Sequence, residues 1–249
     1  MIIYILTRLI LLILSLLLLV DVIRFRKKTF KFVKFSLIFV VIIFGLDAAA
    51  LISNPQIFQE VSLGFLIFGN LIGLAKVIVF SLAGLYYCSL YNFFPLPIIG
   101  DRKKKLTPDY FKAVALGLLT IFVYSYLLFE ITDPQIPAKM SIQKQSVSLF
   151  VTALVMLELA VIEEIIFRLG IQNFIVKVFD LENNNYWIAI IITSFFWTLM
   201  HLGTLDPAWV KFVQVFPIGI LLGYFFKKYG LECTLLVHGT YNVGMVFLH

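Results

Sequence analysis

The chain has 249 residues, of which 61% are hydrophobic and 14% are charged, and its mean hydropathy is +1.01. Soluble domains are about 45–50% apolar and about 25% charged, so this composition excludes an ordinary soluble enzyme and favours an integral membrane protein. The net charge is +6, but the basic residues lie beside apolar segments, where they set topology and contact lipid headgroups. We therefore expect membrane lipids as partners and no nucleic acid.

A helix that crosses the bilayer needs about 20 apolar residues, and eight segments of the sequence meet this need. We predict spans at about 2–23, 35–53, 61–90, 111–130, 147–167, 186–203, 208–226 and 231–248, and the fifth can continue as far as Phe179. The first apolar run lacks a cleavage site and is too long for a signal peptide, so it is interpreted as a retained span. The sequence predicts an all-α membrane protein, a bundle of about eight transmembrane helices, forming a single integral membrane domain over residues 1–249.

Lysine and arginine are unequally distributed among the loops. The first and third loops carry basic clusters, the fifth carries Lys177, and the seventh carries Lys227 and Lys228. The second and sixth loops carry none, and the fourth carries Lys139 and Lys144. Because basic loops stay on the cytoplasmic side, we predict that the odd-numbered loops are cytoplasmic and that both termini lie outside.

Two adjacent glutamates and an arginine lie in the fifth apolar segment, in Glu163-Glu164-Ile-Ile-Phe-Arg168. Insertion scales assign a cost of about 2.5–3.5 kcal/mol to an Asp or Arg at the centre of a membrane helix, so such groups are interpreted as functional and facing the bundle interior. Glu164 and Arg168 are four residues apart, so we expect the arginine to hold a carboxylate in place. Glu158, five residues before Glu163, is predicted to point elsewhere and receives no role.

Asp47 and Lys76 are further charged residues inside predicted spans. Counted from the turn near Ile57, their depths differ by roughly 13 Å, so we predict no ion pair between them. Each is expected to have another partner and a role in helix packing.

His201 is predicted to meet the two glutamates. A polar turn centred near Asn183 follows Glu163 and Glu164 by 19–20 residues and precedes His201 by 18 residues, so the three come level in an antiparallel helix pair. A carboxylate and an imidazole at one depth can share a water, as a general base and its orienting partner require. The alternative is that His201 only satisfies a buried glutamate.

His238 and Asn242 are four residues apart and project from one face of the eighth segment. Two donors on one face can stabilise an oxyanion, whereas the alternative is a polar patch that bridges helices. His238 lies only about nine residues into its segment. For it to reach the glutamates, either the helices tilt strongly or the segment 168–182 runs partly along the membrane interface.

A metal site is chemically allowed, since zinc accepts histidine and carboxylate ligands. Its ligands would be Glu163, Glu164, His201 and His238. Their spacing resembles no zinc motif, so we predict that no cofactor is required and keep a divalent metal such as zinc as the alternative.

Three motifs occur in order, each on its own predicted membrane helix: Glu-Glu-x-x-x-Arg at 163–168, Trp197-x-x-x-His201, and His238-x-x-x-Asn242. Each is weak alone, but together they resemble the CPBP (or Abi) family of CAAX proteases and bacteriocin-processing enzymes, which includes the CAAX prenyl endopeptidases. The resemblance covers residues 147–249, the motif-bearing catalytic half, and leaves the first four spans unmatched. The family usually has Phe where this chain has Trp197, so an aromatic wall is kept while the pocket shape can differ.

The resemblance implies an intramembrane endopeptidase that hydrolyses a peptide bond of a membrane-associated peptide or a prenylated CAAX-type substrate. The six polar residues of the motifs would form the site: Glu163, Glu164, Arg168, His201, His238 and Asn242. Glu163 with His201 would activate the attacking water, the other two residues of the first motif would order the site, and the third motif would stabilise the oxyanion.

Two other functions remain open. One is a non-catalytic immunity or regulatory membrane protein that binds a peptide in the same fold. The other is a proton-coupled transporter with a Glu and His relay, which would be expected to show internal repeats that the sequence lacks. We expect a peptide or lipidated peptide as partner, and the short loops favour a prokaryotic plasma-membrane protein.

Overall fold

The computed structural model describes residues 2–53, 63–93, 95–99, 107–135, 148–181 and 185–248. The helices, in chain order, are α1 (Ile2–Arg24), α2 (Val33–Ser53), α3 (Leu63–Leu90), α4 (Pro108–Thr132), α5 (Leu149–Glu163), a π-helical segment (Glu164–Gln172), α6 (Asn173–Phe179), α7 (Tyr186–His201), α8 (Ala208–Tyr229) and α9 (Leu231–Leu248). One helical turn (Arg26–Thr29) and a 3-10 turn (Phe30–Phe32) lead from α1 into α2. The predicted all-α membrane bundle is confirmed.

Five described helical stretches are long and apolar enough to cross a membrane: Leu6–Arg24, Arg26–Ser53, Leu71–Leu90, Pro108–Thr132 and Ala208–Tyr229. These helices expose large apolar side chains on the outside of the bundle, such as Ile52 and Ile131, which are 79% and 81% accessible. Contact of such a surface with water would be unfavourable, whereas lipid tails are equally apolar. The chain is therefore an integral, multi-pass membrane protein.

The fifth predicted span is one continuous helical run in three parts. It begins at Ser148, whose hydroxyl accepts a hydrogen bond from the Val151 N–H. It ends at Phe179, as the sequence allows, because Asp180 adopts a left-handed conformation with φ 51°. Between these ends the π segment widens the helix by bonding each N–H one residue further back, a feature frequent at functional sites. Glu164 and Arg168 both lie in this segment.

Helix α3 packs against the π segment with almost no space between the two backbones. A Cβ at Gly84 would lie 2.2 Å from the Leu169 carbonyl oxygen, and a Cβ at Gly170 would lie 2.3 Å from the Phe80 ring. No side chain larger than hydrogen fits at either contact, since real Cβ atoms do not approach so closely. The glycines therefore fix where the π segment lies in the bundle.

Helices α8 and α9 are inclined to each other. The side chains of Phe225 and Val237 both flank Gly117, whereas the Gln214 amide reaches the Tyr241 hydroxyl at 2.8 Å. Eleven residues of α8, about 16 Å, thus pass four residues of α9, about 6 Å. Helix α6 continues α5 without a break, and the route by which His238 comes to the depth of the glutamates stays a prediction.

Polar contacts join the first four helices to the motif-bearing half. Asp21 of α1 forms an ion pair with Lys177 of α6 and accepts a hydrogen bond of 2.7 Å from the Tyr87 hydroxyl. The Asp47 side chain of α2 lies beside the Glu158 side chain of α5. Asp47 thus has a partner other than Lys76, and Glu158 points away from Glu163, as expected from its spacing.

Candidate active site

Two glutamates and two histidines form one cluster. Glu163 and Glu164 lie where α5 passes into the π segment, and the histidines come from α7 and α9. The Nε2 atom of His201 lies 3.6 Å from Oε1 of Glu163, and the Nε2 atom of His238 lies 3.9 Å from Oε2 of the same carboxylate. The Nδ1 atom of His238 lies 2.9 Å from Oε1 of Glu164. The structure therefore brings the two glutamates together with His201, which the sequence paired with them by counting along a hairpin, and with His238 from α9.

Backbone contact sets the orientation of His201. Its Nδ1 atom lies 2.9 Å from the Trp197 carbonyl oxygen, which can only accept, so Nδ1 carries the proton and Nε2 of the neutral ring is an acceptor. A distance of 3.6 Å to Glu163 is too long for a direct hydrogen bond, and both atoms are acceptors. A single water can donate one proton to each of them.

His238 bridges the two glutamates. Glu164 is fully buried, and its carboxylate accepts the Nδ1 proton of His238, which directs the other ring nitrogen toward Glu163. The Glu164 carboxylate on one ring nitrogen therefore orients the imidazole. When Nε2 carries a proton, it can donate to an oxyanion.

Arg168 lies behind the glutamates. Its Nε atom is 3.6 Å from Oε2 of Glu164, with both side chains at most 1% accessible. Its guanidinium carbon lies 4.7 Å from the centre of the Trp197 ring, a distance at which a cation is attracted to the ring face. The buried charge of Glu164 is thus compensated from two sides, by Arg168 and by His238.

Trp197, which the sequence predicted as an aromatic wall of the site, also forms a hydrogen bond with Glu163. Its indole N–H donates a hydrogen bond of 2.7 Å to Oε2 of Glu163, a contact that phenylalanine cannot make. The indole ring packs against Gly219 of α8, which has no side chain. A Cβ at Gly219 would lie only 3.0 Å from the ring. The clue in the sequence was the indole N–H itself, since a buried tryptophan usually finds an acceptor.

Asn242 is the one motif residue that the structure places beside the cluster rather than in it. It lies one turn after His238 on α9, and its amide donates a hydrogen bond of 3.3 Å to the Met156 carbonyl of α5. Met156 precedes Glu163 by about two helical turns. Its predicted role at the oxyanion remains a prediction.

Residues 145–244 match the family model for type II CAAX prenyl endopeptidases, described as Rce1-like, and this range includes all three motifs. Over these 100 of its 249 residues the chain is similar to the Rce1-like family.

One relative is the sporulation-killing factor biosynthesis protein SkfC of Bacillus subtilis (strain 168). The two sequences are 28% identical over 144 residues, which is 55% of this chain and 28% of that protein. This chain thus spans under a third of the length of that relative. No solved structure matches the chain.

A further cation outside the three motifs is Lys211, in the first turn of α8. Its charge acts on Glu163 and His201 from beyond ion-pair distance, and its ammonium group donates a hydrogen bond of 2.9 Å to Oε1 of Gln214.

The proposed metal ligands Glu163, Glu164, His201 and His238 all lie in the described part of the chain. No group of three or more His, Cys, Asp or Glu side chains in this part of the chain is gathered closely enough to hold an ion. The two histidines each approach Glu163, at 3.6 and 3.9 Å, while the second glutamate is occupied by Arg168 and His238. The described side chains therefore assemble no ligand set for a metal ion, and independence of a cofactor stays a prediction.

Proposed function

We propose that this chain is an intramembrane endopeptidase in which Glu163 activates the water that attacks a peptide bond. The observation that carries the proposal is the arrangement of two side chains around the Glu163 carboxylate. Trp197 fixes one oxygen of Glu163 by a hydrogen bond of 2.7 Å, and the acceptor nitrogen of His201 lies 3.6 Å from the other oxygen. One water fits between them and leaves its oxygen free to attack.

The reaction can be written with these groups alone. The water donates one proton to Glu163 and one hydrogen bond to His201 while its oxygen attacks the carbonyl carbon. The carbonyl oxygen becomes negative and accepts a hydrogen bond from the protonated Nε2 atom of His238, whose ring Glu164 orients. Glu163 then passes its proton to the leaving amine nitrogen, and the carbon–nitrogen bond breaks. General base catalysis of this kind contributes about 10²- to 10⁴-fold, and an oxyanion donor about 10²- to 10³-fold.

The proposed substrate is a membrane-associated peptide or a prenylated CAAX-type chain. Similarity to the Rce1-like family supports a prenylated substrate, whereas the name of the Bacillus relative connects that protein with the biosynthesis of a killing factor. The apolar exterior of the bundle supports both, since either substrate would reach the site along the membrane.

The test is cleavage by the purified chain in lipid nanodiscs. Matched fluorogenic peptides with and without a prenyl group are incubated with the wild type, Glu163→Gln and His201→Ala. We expect Glu163→Gln to lower kcat by roughly 10²- to 10⁴-fold, because it removes the base but not the shape of the side chain. Glu130→Gln, at an exposed carboxylate near the end of α4, is the matched control and should keep wild-type turnover.

Normal turnover by Glu163→Gln would refute the proposal. A wild type that binds the peptides and releases no product would favour the alternative of a peptide-binding protein without catalysis. Comparison of the two peptide series decides whether the prenyl group is required.

A further inference from the structure

A cavity lies at one end of the bundle. Helices α3, α6 and α8 end around it and α7 begins beside it, and Lys227 near the end of α8 forms part of its wall. Its volume is about 70 Å³, whereas a single water needs about 10–15 Å³. This end cavity therefore has room for a chemical group of several non-hydrogen atoms.

Two polar side chains in the wall of the end cavity, Asn173 and Tyr186, are buried and held in place. The Gln172 amide donates a hydrogen bond of 3.0 Å to the Tyr186 hydroxyl. The Asn173 amide donates to the carbonyl oxygens of Arg168 and Leu169 at 3.0 and 2.8 Å. Cavities that stay empty are lined by apolar groups, whereas polar cavities hold water or polar groups. The end cavity is thus preformed for a polar group rather than for an acyl chain.

Lys227 brings a positive charge to the end cavity. Its Nζ atom lies 4.2 Å from the centre of the Tyr186 ring and 5.8 Å from the centre of the Phe93 ring, and rings at these distances attract a cation. In the described part of the chain no carboxylate forms an ion pair with this ammonium group, whereas Lys177 of α6 is paired with Asp21. An ammonium group has three donors and no acceptor, so Lys227 can bind an anion in the cavity.

The end cavity lies at the level of the lipid headgroups. Two of the apolar helices around it stop there, at Leu90 and Tyr229. Trp187, at the start of α7, stacks on Tyr224 with the ring centres 5.6 Å apart, and Nζ of Lys228 lies 5.7 Å from the centre of the Tyr224 ring. Tryptophan and tyrosine concentrate at the membrane–water interface, and lysine side chains extend to it. A headgroup can therefore enter the cavity while its acyl chains stay in the bilayer.

We propose that the end cavity binds the phosphate group of an anionic phospholipid and that Lys227 pairs with it. A phosphate supplies the negative charge and the acceptor oxygens that a lysine binds. An anionic headgroup is favoured over a zwitterionic one, because the cationic part of the latter would lie beside Lys227 and Lys228. A soluble phosphate presents the same group, but the position of the cavity at the membrane surface supports the lipid as its source. Binding of this lipid does not depend on the proposed peptidase activity.

The test is lipid binding to the full-length chain in detergent micelles, measured by native mass spectrometry. The probes are phosphatidylglycerol and phosphatidylcholine with identical acyl chains, and glycerol phosphate is the soluble probe. We expect the Kd of the first bound phosphatidylglycerol to be lower than that of phosphatidylcholine by roughly tenfold, because hydrogen bonds between charged groups discriminate to that extent. Glycerol phosphate should bind more weakly than phosphatidylglycerol by at least roughly tenfold, because it lacks the acyl chains that hold the headgroup at the membrane surface.

Variants of Lys227 identify the residue responsible. Lys227→Gln should reduce the preference for phosphatidylglycerol to about twofold or less, because a neutral amide loses the charge. Lys227→Arg should keep the preference, since arginine also pairs with phosphate. Lys228→Gln is the matched control, because it removes the same charge from the next residue, which is also exposed and does not line the cavity. This control should keep most of the preference, and Glu163→Gln should bind both lipids as the wild type does.

Equal Kd values of the wild type for the two lipids overturn the proposal. So does a preference that survives Lys227→Gln, or one that falls equally in Lys227→Gln and Lys228→Gln, since the charge of the whole surface would then attract the lipid. Glycerol phosphate that binds as tightly as phosphatidylglycerol would make the ligand a soluble phosphate and refute the lipid site. None of these measurements involves cleavage, so the lipid site and the peptidase proposal can fail independently.

Discussion

The two adjacent glutamates differ in what surrounds them, and this difference divides their roles. The Glu163 side chain is 23% accessible and accepts one hydrogen bond, from the Trp197 indole. Glu164 is fully buried and contacts Arg168 and His238. A partly accessible carboxylate can exchange a proton with water, whereas one enclosed by an arginine and an imidazole serves to hold them in place.

Glu164→Gln should destabilise the protein far more than Glu163→Gln. Removing one partner of a buried ion pair leaves the other charge uncompensated, at a cost of about 3–5 kcal/mol in the free energy of unfolding. Arg168 would be left in that state, while the partly open site of Glu163 tolerates an amide. Unfolding in mixed detergent micelles measures both variants. Glu164→Gln with Arg168→Met should recover much of the loss, and equal stability of the two single variants would contradict this division of roles.

Trp197→Phe should impair activity without unfolding the protein. The ring that packs against Arg168 is largely retained, but the indole donor to Glu163 is lost, and hydrogen bonds to charged groups contribute about 1.5–3 kcal/mol. We therefore expect kcat/KM to fall roughly tenfold or more on the peptide that the wild type cleaves best. Trp187→Phe is the control, since Trp187 lies on the same helix and stacks on Tyr224. Wild-type kinetics for Trp197→Phe would show that the hydrogen bond has no catalytic consequence.

The sequence predicted the composition of the site better than its contacts. Counting residues from a turn fixes the depth of a side chain, and this placed His201 level with Glu163. The direction of a side chain depends on helix rotation and inclination, which counting does not fix. For this reason the sequence did not predict the contact of the Asn242 amide with the Met156 carbonyl or the hydrogen bond from the Trp197 indole to Glu163.

At the scale of elements, the site depends on the contact between α3 and the π segment. The sequence predicted that this run continues to Phe179, because it is apolar throughout. The sequence did not predict the π turns. The nine residues of the π segment are mostly apolar and face other helices on all sides, so an additional residue per turn leaves no periodic pattern of polar and apolar residues. What holds the π segment is its packing against Gly84, a property of two helices together.

Gly84→Ala is expected to disturb the site from a distance. Its Cβ would lie 2.2 Å from the Leu169 carbonyl oxygen, a backbone atom that can move only with the π segment. Overpacking of this kind costs about 1–3 kcal/mol, and the displaced segment carries Glu164 and Arg168. Both the unfolding midpoint and kcat should fall. Gly73→Ala in the same helix is the control, because nothing lies within 4 Å of its Cβ and alanine favours a helix by about 0.5–1 kcal/mol. Equal behaviour of the two variants would contradict the role of this contact.

At the scale of the whole molecule, the site lies near the middle of its longest helical run. Glu163 is 14 residues from Leu149 and 16 residues from Phe179, or about 21 and 24 Å along the helix. Helix α7 has only 16 residues, about 24 Å, which is shorter than the hydrocarbon core of about 30 Å. The chain therefore turns back after His201 before crossing the full core, and the loop that follows reaches the level of the site.

The predicted orientation of the molecule can be tested by labelling single cysteines. With both termini outside, residues 28 and 228 face the cytoplasm and residue 206 faces the opposite side, because basic residues are retained on the cytoplasmic side. All three positions are exposed. The native thiols, Cys88 and Cys233, are buried and should react slowly, so the wild type provides the background.

A membrane-impermeant maleimide applied to intact cells should label Asp206→Cys but not Lys28→Cys or Lys228→Cys, and inside-out vesicles should give the reverse pattern. Labelling of all three from one side would refute the alternation of loops, whereas a full inversion would keep the span count and reverse the orientation.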